Sequence, residues 1–249
     1  MLNAIILAGE EKSSKWNDVS NKALLKISGK LMIEYVIEAL KSSECIDKII
    51  VAGPREQLFD KLSNKVDGIV DTNSSIMDNL MAGVKHLGSR ENLLVCTCDI
   101  PFITSEAIND FIQSAQDSGA DLCYPIIEKR VNIRRFPDAQ RTYVRIKEGT
   151  FTGGNLFYVN PLAIEKGYHL AVRFLKNRKR PLEMARIIGL SFLAQLLIGR
   201  LSLDRIERKF STILDIKAKA IISSYAEIGN DIDKPSDVIV ATNYLGNQK

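Results

Sequence analysis

Histidine is nearly missing from this chain. His86 and His169 are the only two in 249 residues, and their spacing suggests neither a metal site nor a catalytic pair, so both read as structural. Paired Cys-x-x-Cys is missing too. The four cysteines, Cys45, Cys96, Cys98 and Cys123, lack zinc-ligand spacing, and Cys96 and Cys98, two apart on one strand face, are poorly placed for a disulfide. Small buried thiols in a reducing compartment, and hence a cytoplasmic location, are the expectation. The first residues carry no basic stretch ahead of an apolar run, and that run is too short for a leader or a membrane span, so residues 1–9 read as a buried first strand. No repeat, low-complexity tract or linker interrupts the chain.

What is present is enough for a folded enzyme-sized unit: 45% hydrophobic residues, with both charge signs well represented. The net charge of +4 is unevenly spread. Residues 165–219 hold thirteen Lys or Arg against five acids, which makes that segment +8 and the remainder −4. Attraction for phosphates or anionic surfaces is therefore concentrated late in the chain. Short β-branched runs at 4–7, 48–52, 68–70 and 93–98 alternate with helical periodicity at 31–41, around Ile76, Leu80, Val84 and Leu87, and at 105–116. Alternation at this interval means parallel βαβ units. After Ala120 strands at 121–127, 142–146 and 151–159 follow one another without a helix, which predicts an antiparallel insertion and a mixed sheet. Residues 161–210 read as helical, punctuated by Pro181 and Gly199, before a last strand at 218–223 and a helix from Pro235.

In an open parallel sheet, ligands collect beyond the carboxyl ends of the strands. Three polar clusters fall there: Ala8 to Lys15 leading to Asn21 and Lys22, then Asp99-Ile100-Pro101, then residues 229–235. Gly9, directly after a buried strand, lets backbone N–H groups approach phosphate oxygens, and Lys22 is the candidate ammonium to offset their charge. Asp99 either binds a hard cation such as Mg²⁺ or caps the helix that follows Thr104. Asp231 and Asp233 alternate in an extended stretch, so period 2 puts both carboxylates on one side, opposite Ile232, as further cation ligands. Asp237, one turn on, reads as an ordinary first-turn acid. Tyr143 and Arg145 alternate on one strand face, preceded by Arg134 and Arg135, and these are candidates to clamp an acceptor phosphate. Thr152-Gly153-Gly154-Asn155 either lines the acceptor side or shapes a bulge.

Taken in order, Leu7-Ala8-Gly9, Lys22 before Ala23-Leu24-Leu25, Cys98-Asp99-Ile100-Pro101, Thr152-Gly153-Gly154-Asn155 and Asp231-Ile232-Asp233-Lys234-Pro235-Ser236-Asp237 resemble the motifs of the MobA-like NTP-transferase family. That family contains molybdenum-cofactor nucleotidyltransferases and related sugar- and alditol-phosphate nucleotidyltransferases. The resemblance covers nearly the whole chain. It implies a Rossmann-like, GT-A type α/β fold: a mostly parallel, mixed sheet with helices on both faces, in one domain over 1–249 with a helical insertion at 161–210. It also implies transfer of a nucleoside monophosphate from an NTP, CTP or GTP, to a phosphorylated small-molecule acceptor, with Mg²⁺ as cofactor and pyrophosphate released. No nucleic-acid partner is expected. On this resemblance Lys22 and Asp99 are catalytic, and Asp99, Asp231 and Asp233 hold the metal. Leu7, Ala8, Gly9, Lys12, Lys22, Ser74 and Ser75 contact the nucleotide, although Ser74 and Ser75 also read as a helix N-cap. Arg135, Tyr143, Arg145, Gly153, Gly154 and Asn155 face the acceptor.

The chain departs from the family at one place. Glu10 stands where the second glycine is usual, Glu11 lies beside it, and no Arg follows before Asn21, so Lys12 or Lys15 would have to supply the loop's positive charge. A catalytically silent nucleotide-binding protein is the reading this departure motivates, and a metal-dependent glycosyltransferase on the same sheet is a second alternative. The apolar run at 187–198, flanked by Lys179, Arg180, Arg186 and Arg200, is too short to span a bilayer. Packing helices, a dimer face or contact with an anionic membrane surface are the readings it leaves open.

Overall fold

The computed structural model describes residues 1–9, 19, 21–72, 75–177 and 180–246. The first half runs β1 (Leu2–Leu7), a small hairpin of β2 (Lys26–Ile27) and β3 (Lys30–Leu31), α1 (Met32–Lys41), β4 (Ile46–Gly53), α2 (Arg55–Leu62), β5 (Gly68–Asp71), α3 (Ile76–Leu87), β6 (Leu93–Thr97) and α4 (Ser105–Ser118). The second half runs β7 (Leu122–Glu128), α5 (Lys129–Arg135), β8 (Val144–Ile146), β9 (Gly149–Gly153) and β10 (Leu156–Val159). Four helices follow, α6 (Pro161–Asn177), α7 (Pro181–Ile188), α8 (Leu190–Leu197) and α9 (Leu203–Leu214), before β11 (Ala218–Ser223) and α10 (Pro235–Gly246).

The main sheet has the order β5-β4-β1-β6-β10-β7-β9-β8, with β11 on the other side of β7. β1 pairs in parallel with β4 and β6, and β4 with β5. β10 is antiparallel to both β6 and β7, so β7 points the same way as β6, and β11 is parallel to β7. The expected mixed, mostly parallel sheet is thus what the chain forms, and the carboxyl ends of β5, β4, β1, β6, β7 and β11 share one edge.

Alternation along the central strands explains the layers. Ala4 and Ile6 of β1 with Leu94 and Cys96 of β6 face α1 and α4, meeting Ile33, Ile37, Ile108 and Phe111. Ile5, Leu93 and Val95 face the other way, against Met77, Leu80 and Val84 of α3 and Ile164 of α6. Both faces are covered, as fully apolar strands require. A third cluster, Ile27, Met32, Phe102, Phe136, Ala226, Ile232 and Ala241, ties the small hairpin and α10 to the loop beyond β6.

Several expectations shift. The strand expected over 151–159 is broken into β9 and β10 at Gly154 and Asn155, where the chain passes from lying between β7 and β8 to lying between β7 and β6. A short helix, α5, occupies 129–135 where only irregular chain was expected, and Tyr143 precedes β8 instead of lying in it. The apolar run at 187–198 is divided by Gly189, whose φ of 94° takes it out of the helical region. Met184, Ile188 and Phe192 pack into a local cluster with Leu201, while Leu190, Leu197 and Ile198 stay exposed. Among the described residues no helix is long and apolar enough to cross a membrane.

Candidate active site

At the end of β1 the backbone is pinned before it reaches the site. The Ala8 N–H donates to the Ala52 carbonyl at 2.8 Å, and the Ala8 carbonyl accepts from Asn21 Nδ2 at 3.0 Å. Asn21 is buried, and its Oδ1 takes the Ala23 N–H at 2.9 Å, opening the single 3₁₀ turn Lys22–Leu24. One amide therefore fixes both the strand end and the direction in which Lys22 leaves the backbone. Gly9 lies so close to α3 that a Cβ there would sit 1.9 Å from Asn79 Nδ2. Asn79 is buried, with Thr72 Oγ1 donating to its Oδ1 at 2.5 Å. Leu7 contributes its carbonyl, which accepts the Cys98 N–H at 3.2 Å and brings the β6 terminus alongside.

The Lys22 ammonium reaches Asp99 Oδ2 at 2.5 Å and Asp233 Oδ1 at 3.3 Å. Burial works to lower its pKa, but the Asp99 and Asp233 carboxylates outweigh that and hold it well above the ordinary lysine value. Asp99, Asp231 and Asp233 each place one oxygen within 4.8 Å of the others. Asp231 is raised to about 6 by burial and by the Asp99 carboxylate, against the opposing pull of Arg141. Asp233 is pushed upward by burial, but the Lys22 ammonium wins and holds it below the usual carboxylate range. Asp99 Oδ1 is buried and finds no hydrogen-bond partner among the described residues. Three oxygen donors this close, one with an unsatisfied buried oxygen, form a set whose chemistry suits a hard divalent cation.

Asp231 and Asp233 arrive from the far end of the chain by a specific docking. Ile232 is buried in the third core cluster, and its N–H donates to the Asp99 carbonyl at 2.9 Å. The two flanking aspartates therefore face away from that core, together. Asp237 Oδ2 accepts the Asp233 and Lys234 N–H groups at 2.9 and 3.1 Å, which makes it the first-turn acid of α10. Arg141 bonds Asp231 through both its carboxylate and its carbonyl. Nothing in the spacing of the sequence marks Arg141, Asn79, Asn132 or Asn230. Arg141, Asn132 and Asn230 take their roles from partners distant along the chain, and Asn79 is a lone polar residue within the apolar pattern of α3.

The residues expected on the acceptor side meet protein groups. Arg135 pairs with Glu227 at 2.9 Å and lies over the Tyr244 ring, 4.9 Å from its centroid. The Tyr143 hydroxyl accepts from Asn132 Nδ2 at 2.9 Å. Arg145, on the outer strand β8, packs on Gly199, where a Cβ would come 3.1 Å from Arg145 Cγ. At Gly153 a Cβ would lie 1.9 Å from the Tyr124 hydroxyl, and at Gly154 2.6 Å from Ile228 Cγ2, so this glycine pair admits neighbouring protein. Asn155 donates from its backbone and side chain to the Ile228 carbonyl at 3.0 and 3.3 Å. Ser75 caps α3, accepting from the Asp78 N–H at 3.3 Å and donating to Asp78 Oδ2 at 2.7 Å. Glu10, Glu11, Lys12, Lys15 and Ser74 lie outside the described residues. A cationic groove of about 640 Å³ opens beside α5, lined by Glu128, Lys129, Arg130, Ile133, Arg134, Gly149 and Thr150. It stands where β7 ends, on the same sheet edge as Asp99.

Comparison with known proteins shows the family and the fold. The family model described as the MobA-like NTP transferase domain matches residues 4–201. The chain is similar to a 2-C-methyl-D-erythritol 4-phosphate cytidylyltransferase of Clostridium botulinum (strain Loch Maree / Type A3), 27% identical over 140 residues, or 53% of this chain and 61% of that one. It is similar to a probable molybdenum cofactor guanylyltransferase of Natranaerobius thermophilus, 30% identical over 130 residues, or 51% of this chain and 60% of that one. These matches thus span about three fifths of each relative's length. A hypothetical transferase from Thermus thermophilus superposes with a TM-score of 0.85 at 35% identity, over 95% of this chain and 99% of that one. A CMP:2-keto-3-deoxy-manno-octonic acid synthetase complexed with CTP shares the fold, with a TM-score of 0.65 at 12% identity over 100% of both chains.

Proposed function

The chain belongs to the MobA-like NTP transferase family, and from that premise we propose that it transfers a nucleoside monophosphate from CTP or GTP to a phosphorylated small molecule. The observation that carries this reading is the convergence of Lys22 with Asp99, Asp231 and Asp233 at the carboxyl edge of the sheet. The names of the cytidylyl- and guanylyltransferase relatives support the choice of nucleotides.

An oxygen of the acceptor phosphate attacks the α-phosphorus in line. The bond from that phosphorus to the oxygen bridging α and β breaks, and pyrophosphate carries the electron pair away. An acceptor phosphate is already ionised at neutral pH, so no protein nucleophile or obligatory base is needed and catalysis rests on placement and charge. Asp99, Asp231 and Asp233 would hold Mg²⁺, which when bound supplies neutralisation of charge on the phosphates. Lys22 turns its fixed positive charge toward the leaving pyrophosphate. Gly9, close-packed against Asn79, offers its backbone to the phosphate chain, with Asn79 behind it setting how near the nucleotide comes. The cationic groove beside α5, with Arg130 and Arg134 one helical turn apart, takes the anionic end of the acceptor.

The test is a product-forming assay with the four common NTPs and a panel of phosphorylated acceptors. Stoichiometric pyrophosphate and nucleotidylated acceptor are the expected products. Tight nucleotide binding without turnover would instead select a silent binding protein.

A further inference from the structure

The loop between α5 and β8 carries a guanidinium, that of Arg141, whose side chain is only 10% exposed. All three of its nitrogens act on one short segment: Nε donates to Asn230 Oδ1 at 3.0 Å, Nη1 to Asp231 Oδ1 at 3.0 Å, and Nη2 to the Asp231 carbonyl at 2.5 Å. One contact suffices to neutralise a carboxylate. Bonds to the side chain, to the same residue's main chain and to the preceding amide fix its position and its rotation together.

The support continues behind it. Asn230 is fully buried, and its Nδ2 donates to Asn132 Oδ1 and to the Ala226 carbonyl, each at 2.6 Å. Asn132, also fully buried, donates to the Tyr143 hydroxyl at 2.9 Å. The path Arg141, Asn230, Asn132, Tyr143 leaves the loop and returns to it two residues later. Lys234 Nζ to Gln140 Oε1, at 2.8 Å, adds a further tie between the same two segments. Among the described residues Asp99 has no equivalent of this lattice; it follows directly on the end of β6.

We propose that Arg141 is a positioning residue that, backed by Asn230, Asn132 and Tyr143, holds the Asp231 carboxylate toward Asp99 and Asp233 and thereby sets the divalent-cation affinity of the site. This rests on the reading of those three carboxylates as cation ligands. Arg141 touches neither nucleotide nor acceptor in this account. Residues that orient metal ligands in this way are worth roughly 10- to 100-fold in metal affinity.

The test is calorimetric titration of the full chain with Mn²⁺ alone, beside thermal melting of each variant. Arg141→Met is expected to weaken Mn²⁺ binding at least tenfold. Arg141→Lys should restore little, since one ammonium cannot reproduce the three-point fork. Tyr143→Phe, which keeps the ring and removes the far end of the path, should cost a few-fold, and it decides the matter if both Arg141 variants fail to fold. A folded Arg141→Met chain that binds Mn²⁺ as tightly as wild type, or more tightly, overturns the proposal, because Arg141 would then be a structural or competing cation. Mn²⁺ binding abolished in Asp99→Asn yet unchanged in every Arg141 and Tyr143 variant overturns this proposal alone. Failure of the wild type to bind Mn²⁺ overturns both it and the cation-site reading.

Discussion

Asp99 and Asp231 lie on the same acidic cluster, yet the fold holds them by opposite means. Asp99 follows a central strand flanked by β1 and β10, so its position comes from the sheet, and its carboxylate meets the Lys22 ammonium. Asp231 lies in irregular chain between β11 and α10, and side chains more than eighty residues away in sequence fix it. A carboxylate placed by backbone can be replaced with little effect on folding. One placed by a polar lattice shares its fate with the lattice.

The largest effect should come from the sheet-held side. Asp99→Asn removes a ligand charge and is expected to lower turnover by about 100- to 1000-fold or more, measured as pyrophosphate release. Its melting temperature should stay near that of wild type, because the strand beneath is untouched. Next, Ile232→Ala attacks the docking that presents both distal aspartates. It opens a cavity in the third core cluster and should cost about 2–5 kcal/mol in denaturant unfolding, with a loss of activity beyond the loss of folded protein.

The lattice-held Asp231 also carries a pH signature. Burial and the Asp99 charge favour the protonated form of Asp231 and push its carboxyl up to about 6, above the ordinary aspartate value. A cation must displace that proton, so Mn²⁺ affinity should be level above pH 7 and fall below pH 6, approaching roughly tenfold per pH unit, with one proton released per ion bound. The sign for folding is opposite: protonating Asp231 relieves a buried charge, so this group by itself favours the folded state more as pH falls from about 6 toward the ordinary aspartate value. A pH-independent affinity between 5 and 7 would break the contrast. The smallest effect belongs to Ser75→Ala, which removes the α3 cap and should cost about 1 kcal/mol of stability while leaving nucleotide affinity intact. A large rise in nucleotide KM would return Ser75 to the binding site.

The same contrast separates what the sequence discloses from what it hides. Residues set by secondary structure are legible, because an apolar β-branched run marks a strand and the polar residue after it marks the carboxyl edge. Gly9 and Asp99 are found in this way, and period 2 around Ile232 finds Asp231 with Asp233. Residues set by tertiary contact are not legible. Asn230 and Asn132 are 98 residues apart, Arg141 and Asp231 are 90 apart, and no local pattern links either pair. Gly153 and Gly154 are an intermediate case: the sequence shows that something approaches closely, and the structure shows that it is Tyr124 and Ile228. Short helices are lost for another reason. α2 buries only Leu58 and Leu62, and α5 has seven residues with Asn132 alone buried, too little apolar periodicity to notice.

Nucleotidyl transfer is distinguished most directly by which bond of the nucleotide is broken. Phosphorus NMR of the chain incubated with Mg²⁺, CTP or GTP and the phosphorylated acceptor that supports turnover should show pyrophosphate and a new diphosphate linkage rising together, and neither signal with Asp99→Asn. Release of a nucleoside diphosphate without pyrophosphate, or undiminished turnover in that variant, would contradict nucleotidyl transfer at the Lys22, Asp99, Asp231 and Asp233 site.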